Sequence, residues 1–128
     1  MQDAARRGAT RSPGSDGAGG GLPRESRLLR GAEYDAVYRE GKRRSSGQFT
    51  VFLRSNGLQH SRFGWSIKKA VGGAVLRNRV RRRLREIVRL HRKEILPGWD
   101  IVIHPRTSAA KREFSLLTAE LLRLLPRA

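Results

Sequence analysis

The stretch from Lys68 to Arg92, KKAVGGAVLRNRVRRRLREIVRLHR, constrains whatever the rest of the chain folds into. Wound as a helix, it gathers Val80, Leu84, Ile87, Val88 and His91 onto one side, and Ile95 continues that stripe. Arg77, Arg81, Arg85 and Arg92 line one flank, Asn78, Arg82 and Arg89 hold the middle of the opposite arc, and Arg79 and Arg83 lie further round. A helix over about Ala74 to Glu94 with such a stripe must bury it against a sheet or other helices. Its other face opposes itself, because like charges at i, i+4 are unfavourable by about 0.2–0.5 kcal/mol per pair. A merely solvated face would intersperse acids, and here Glu86 stands alone among the arginines. The pattern therefore favours a face that meets polyphosphate.

The whole chain carries the same sign. Its 128 residues hold 28 Lys and Arg against 11 Asp and Glu, for a net charge of +17. A folded domain must spread that excess over its surface, and a polyanion relieves the repulsion while releasing condensed counterions. Arg outnumbers Lys by 23 to 5. The guanidinium fork suits bidentate phosphate contacts and stacking on bases, although a GC-rich genome raises the same ratio. There is no Cys, which excludes disulfides, thiolate zinc sites and a Cys nucleophile. No run of about 20 apolar residues suggests a membrane span, and no apolar segment near the start suggests a secretory signal, so a cytoplasmic protein is expected.

Residues 1–23 are rich in Gly, Ser and Arg and carry few large apolar groups, so they are expected to form a flexible basic tail ahead of one domain at 24–128. Tyr34, Val37 and Tyr38 mark one face of a short helix that Gly41 would stop. Phe49 to Leu53 reads as a strand, Arg62 to Ile67 as its hairpin neighbour, and a further short strand is expected near Lys42 to Ser46. After the arginine helix, Pro97-Gly98 breaks the chain, Asp100 to His104 forms a buried strand, and Pro105 ends it. Thr107 or Ser108 would cap a last helix carrying Phe114, Leu117, Leu121 and Leu124. The order helix, two or three strands, helix, strand, helix describes an α/β two-layer sandwich on a small sheet.

The ordered set Lys68-Lys69, Arg77-Asn78-Arg79-Val80-Arg81-Arg82 and Leu84-Arg85-Glu86 resembles the RNR signature of the ribonuclease P protein family. Tyr34-x-x-Val37-Tyr38-x-x-Gly41 resembles that family's first helix, with Tyr where Phe is commoner, and Asp100-Ile101-Val102-Ile103-x-x-Arg106 resembles its last strand. The resemblance runs from about Arg27 to Leu125; the tail lies outside it. It implies a mixed sheet with a left-handed β-α-β crossover through the RNR helix, where handedness rules alone favour the right-handed form. It also implies a subunit of the ribonuclease P ribonucleoprotein that binds ribonuclease P RNA and precursor tRNA for removal of the 5′ leader. Lys68, Lys69, Arg77, Asn78, Arg79, Arg81, Arg82 and Arg85 would face the RNA subunit, while Tyr34, Tyr38 and Phe52 would line a leader cleft. Bond cleavage would rest with the RNA, using Mg2+ bound mainly by RNA.

The residues themselves offer little chemistry for bond breaking. His60, His91 and His104 lack a metal-like partner in sequence and read as structural, and Gly72-Gly73 lacks the Lys-Ser/Thr of a phosphate loop. No catalytic residue, metal ligand or small-molecule cofactor is expected in the protein. Single strands bind where aromatic rings stand beside a basic groove, which is what the three cleft rings would supply. Phe49, Phe63 and Trp65 read instead as core. Two rivals share the charge and size: a structural RNA-binding protein of ribosomal type, and a basic amphipathic helix for a membrane surface, which would leave its apolar face exposed.

Overall fold

The computed structural model describes residues 22–127. Three helices and four strands follow in the order α1 (Gly31–Glu40), β1 (Lys42–Ser45), β2 (Phe49–Ser55), β3 (Arg62–Trp65), α2 (Ala74–Leu90), β4 (Trp99–Pro105) and α3 (Phe114–Leu124), joined in places by short 3-10 turns. This is the expected two-layer sandwich on a mixed sheet.

The sheet order is β1-β2-β4-β3, with β3 parallel to β4 and the other pairs antiparallel. Arg62 to Ile67 is thus not the hairpin neighbour of β2. Strand β4 lies between them, because Ile101, Val102 and Ile103 are each fully buried and an edge position would leave one of their faces open. The β3–α2–β4 passage is a crossover between adjacent parallel strands.

Alternation assigns the two faces. Phe49, Val51 and Leu53 of β2, Phe63 of β3, and Ile101 and Ile103 of β4 pack into the main core with Val80, Leu84, Ile87 and Val88 of α2 and Leu117 and Leu121 of α3. Trp65, Ile67 and Phe114 pack against its margin. The apolar stripe of α2 is therefore covered, as an RNA-binding domain requires and the membrane-surface reading does not. On the opposite sheet face, Val37 of α1 meets Leu28 and Val102 in a second, smaller cluster, with Tyr34 and Phe52 against it.

Several local expectations need correction. Helix α2 stops at Leu90, and its C-cap His91 leaves helical geometry with φ −114° and ψ 17°. The His91 ring is half-exposed against Glu94 instead of continuing the core stripe, and Ile95 reaches the core from a separate turn. The last helix starts at Phe114 after Glu113. Thr107–Lys111 forms a 3-10 turn that places Ala109 and Ala110 in the core beside α2, and the Ser108 hydroxyl donates to Gln48 Oε1 (2.7 Å) rather than capping a helix. Residues 1–21 of the expected tail lie outside the described residues. Leu22, within the tail's expected span, is buried in the main core.

Helix α1 is tied down by charge. Arg62 donates from Nε and Nη2 to the two carboxylate oxygens of Asp100 (2.8 and 2.6 Å) and from Nη1 to Glu33 Oε2 (2.9 Å). Asn56 Nδ2 donates to the same Asp100 (2.9 Å), which is only 1% exposed. Glu33 Oε1 accepts the backbone N–H groups of Leu29 and Arg30, fixing the helix start.

Candidate nucleic-acid interface

Because α1 covers only part of its sheet face, a cleft remains beside it. The register places Arg43, Phe52, Val102 and Gly64 in one row across the sheet, and Thr50 and His104 in the next. Tyr34 lies over the Gly64 end of the first row. A Cβ on Gly64 would stand 2.5 Å from the Tyr34 hydroxyl oxygen, so only glycine lets the ring reach the sheet. Burial pushes the Tyr34 hydroxyl up to about 12, a backbone hydrogen bond at Trp65 offsetting part of the effect, so the group stays protonated. Gly64→Ala should displace this ring and destabilise the domain by about 1–3 kcal/mol, the usual range for overpacking. An unchanged denaturant midpoint would show that the ring has room to shift.

Tyr38 and Phe52 meet edge to face, with centroids 5.1 Å apart at 87°. Sequence reasoning missed the third ring. His104 is tilted against Phe52 at 5.2 Å and edge-on to Tyr38 at 5.5 Å, and its Nε2 shares a 2.9 Å hydrogen bond with the Tyr38 hydroxyl. Alternation along β4 puts His104 on the face of Val102, but only the β2 pairing sets it beside Phe52. Tyr38 is 39% exposed, so this cluster opens to solvent. It borders a groove of about 580 Å³ that also carries Arg43, Lys68 and Arg106. Arg43 and Arg106 were likewise not foreseen.

The arginines of α2 divide by environment. Asn78, Arg79 and Arg82 are exposed, whereas Arg77, Arg81 and Arg85 are half-buried. Arg77 donates to the carbonyl of Gly72 (2.7 Å), closing the turn before the helix, where Gly72 adopts φ +152°. Arg81 donates to Asn78 Oδ1 (2.6 Å) and lies near enough to Tyr34 for its positive charge to act on the phenol's titration. Burial and the adjacent Arg77 push the Arg81 guanidinium down. The block thus spans two places: Lys69, Asn78, Arg79 and Arg82 face solvent, while Lys68 lines the groove and Arg81 lies near Tyr34. Among the described residues, no three His, Asp or Glu side chains form a group that could hold a metal ion, and no helix is long and apolar enough to cross a membrane.

An open aromatic cluster in a cationic groove, beside a helix dense in arginine, defines an RNA-binding protein. The sequence model of the family Ribonuclease P matches residues 22–128. The chain is 42% identical over 108 residues to the ribonuclease P protein component of Roseiflexus castenholzii, covering 84% of this chain and 88% of the relative. It is 41% identical over 111 residues to that of Desulfovibrio desulfuricans, covering 83% and 85%. Among solved structures, the ribonuclease P protein from Thermotoga maritima superposes with a TM-score of 0.73 at 34% identity, over 77% of this chain and 94% of that one. That of Staphylococcus aureus gives 0.71 at 30%, over 77% and 90%. The chain belongs to the ribonuclease P protein family and is a subunit of the endoribonuclease that matures the 5′ end of tRNA.

Proposed function

We propose that the two surfaces divide the work of this subunit. The exposed side of α2, with Lys69, Asn78, Arg79 and Arg82 and the flanking Arg77, Arg81 and Arg85, binds the ribonuclease P RNA. Tyr34, Tyr38 and Phe52 line a cleft that takes the single-stranded 5′ leader of precursor tRNA, with Lys68 at its rim. Bond cleavage rests with the RNA subunit and Mg2+ held mainly by RNA, and the complex works in the cytoplasm. The residues before Leu22 add basic charge and are not needed for folding, whereas Leu22 itself belongs to the core of the domain.

The observation that carries this reading is the solvent-open Tyr38–Phe52 pair, whose Phe52 lines a groove with Arg43, Lys68 and Arg106 and no acid among its lining residues. A binder that grips only duplex RNA has no use for such a cleft, since a duplex is held by its backbone and presents no free base faces. Stacking on an aromatic ring contributes about 1–3 kcal/mol per base. Phe52→Ala should therefore weaken binding of precursor tRNA to the assembled holoenzyme by that amount. Mature tRNA has no leader, so its affinity should hardly change. Equal losses for the two RNAs would reject the leader cleft and leave Phe52 as an ordinary packing residue.

A further inference from the structure

The Tyr38–Phe52 pair is closed by an imidazole, and the surroundings of that imidazole are unusual. His104 is half-buried at the end of β4, with its ring against both aromatic rings and its Nε2 engaged by Tyr38. The groove it lines is bordered by Arg43 from β1, Lys68 from the β3–α2 connection and Arg106 beyond β4. Thr50 and Ser66 supply neutral hydroxyls there. No acid is among the groove's lining residues; the acid whose charge reaches the aromatic cluster is Asp35 of α1, which acts on Tyr38. Three cations thus line the groove with no acid among its lining residues, and the charge of Lys68 reaches the ring.

We propose that His104 is a leader-contacting residue whose protonation is coupled to occupation of the groove by leader phosphates, so that the preference for leader-bearing tRNA strengthens as the pH falls. The inference rests on the leader-cleft reading and deepens it. In the free protein, burial and then Lys68 hold the imidazole below its ordinary value, so the ring is neutral at physiological pH. A phosphodiester entering beside Arg43, Lys68 and Arg106 offsets the repulsion from Lys68 and places negative charge near the ring, which favours the imidazolium. Binding then takes up a proton from solvent. By linkage, a ligand whose binding takes up a proton binds more tightly as the pH falls through the interval between the free and bound values. Each unit of that interval is worth tenfold in affinity. The neutral ring also completes the stacking platform, so the residue contributes in both charge states.

The test uses holoenzyme assembled from the full chain and its RNA subunit. Affinities for precursor tRNA with an unstructured leader and for mature tRNA are measured from about pH 7.5 to about pH 5.5, and their ratio isolates the leader. In the parent protein the ratio should rise about three- to tenfold across that range. His104→Phe, which keeps a ring, should hold the ratio near its high-pH value throughout, and His104→Gln, which keeps polarity, should also be flat. The parallel variants guard against one of them folding poorly. A rise that persists in both variants, or a flat ratio in the parent with leader preference intact, would overturn the coupling while leaving the cleft standing. Absence of any leader preference in the parent would overturn the cleft and this inference together.

Discussion

Arg62→Met is expected to destabilise the domain by about 3–5 kcal/mol, because it strips a buried carboxylate of its bidentate partner. Asp100 is 1% exposed and would keep only Asn56 at 2.9 Å and Arg54 at 3.9 Å. Neither replaces a two-pronged guanidinium at 2.8 and 2.6 Å. For a domain of this size the loss corresponds to a fall in Tm of at least about 10 °C. The same change frees Glu33, which anchors the start of α1. Burial works to raise Glu33, but the N–H groups of Arg30 and Leu29 and the charge of Arg62 outweigh it, leaving its pKa lowered. Its stabilising share is accordingly full above the ordinary value of 4.5 and is lost as the pH falls through the lowered one. Removing Arg62 should therefore shift the acid unfolding transition to higher pH. A melting curve within a few degrees of the parent would show that the network is dispensable and that packing alone holds α1.

Affinity for the RNA subunit should fall several hundred-fold between about 50 and 200 mM monovalent salt. With about six phosphate contacts, log K against log salt has a slope of about −4 to −5. Arg79→Ala combined with Arg82→Ala should flatten that slope by about 1.5 without changing the melting curve, since both side chains are exposed. Arg77 is a poorer choice for this test: its bond to the Gly72 carbonyl means that Arg77→Ala loosens the entry to α2 as well as removing a charge. A slope shallower than about −2 in the parent would remove the arginine face from the RNA contact. Lost affinity together with a large fall in Tm would reassign Arg79 and Arg82 to the fold.

Much of the molecule was legible in one dimension because burial imposes a period. The stripe of Val80, Leu84, Ile87 and Val88 declared α2 and the side it buries, and the alternation of Phe49, Val51 and Leu53 did the same for β2. The run Ile101-Val102-Ile103 declared a buried strand, and the structure shows all three fully covered. Charge density on α2 named the chemical class of partner without any coordinates, because Glu86 is the single acid in the helix set against its arginines. Gly41 was read as a helix stop, and the structure adds the reason: a Cβ there would meet the carbonyl oxygens of Val37 and Leu53 at 2.5 and 2.7 Å.

What the sequence could not carry is which elements become neighbours. Adjacency of β2 and β3 in the chain suggested a hairpin, and the insertion of β4 between them follows only from covering both of its faces. His104 and Phe52 are far apart in sequence and become one aromatic cluster through the β2–β4 register, and Arg43 joins their groove through the β1–β2 register. The RNR block likewise looked like one surface, yet folding puts Lys68 on the groove, sets Arg81 half-buried near Tyr34 and leaves Arg79 and Arg82 in solvent. The period of a sequence records whether each side chain is covered, since that depends on its own element. What covers it, and which charges and rings share a groove, depends on strand order and register, which are decided when the whole sheet closes around its most buried strand.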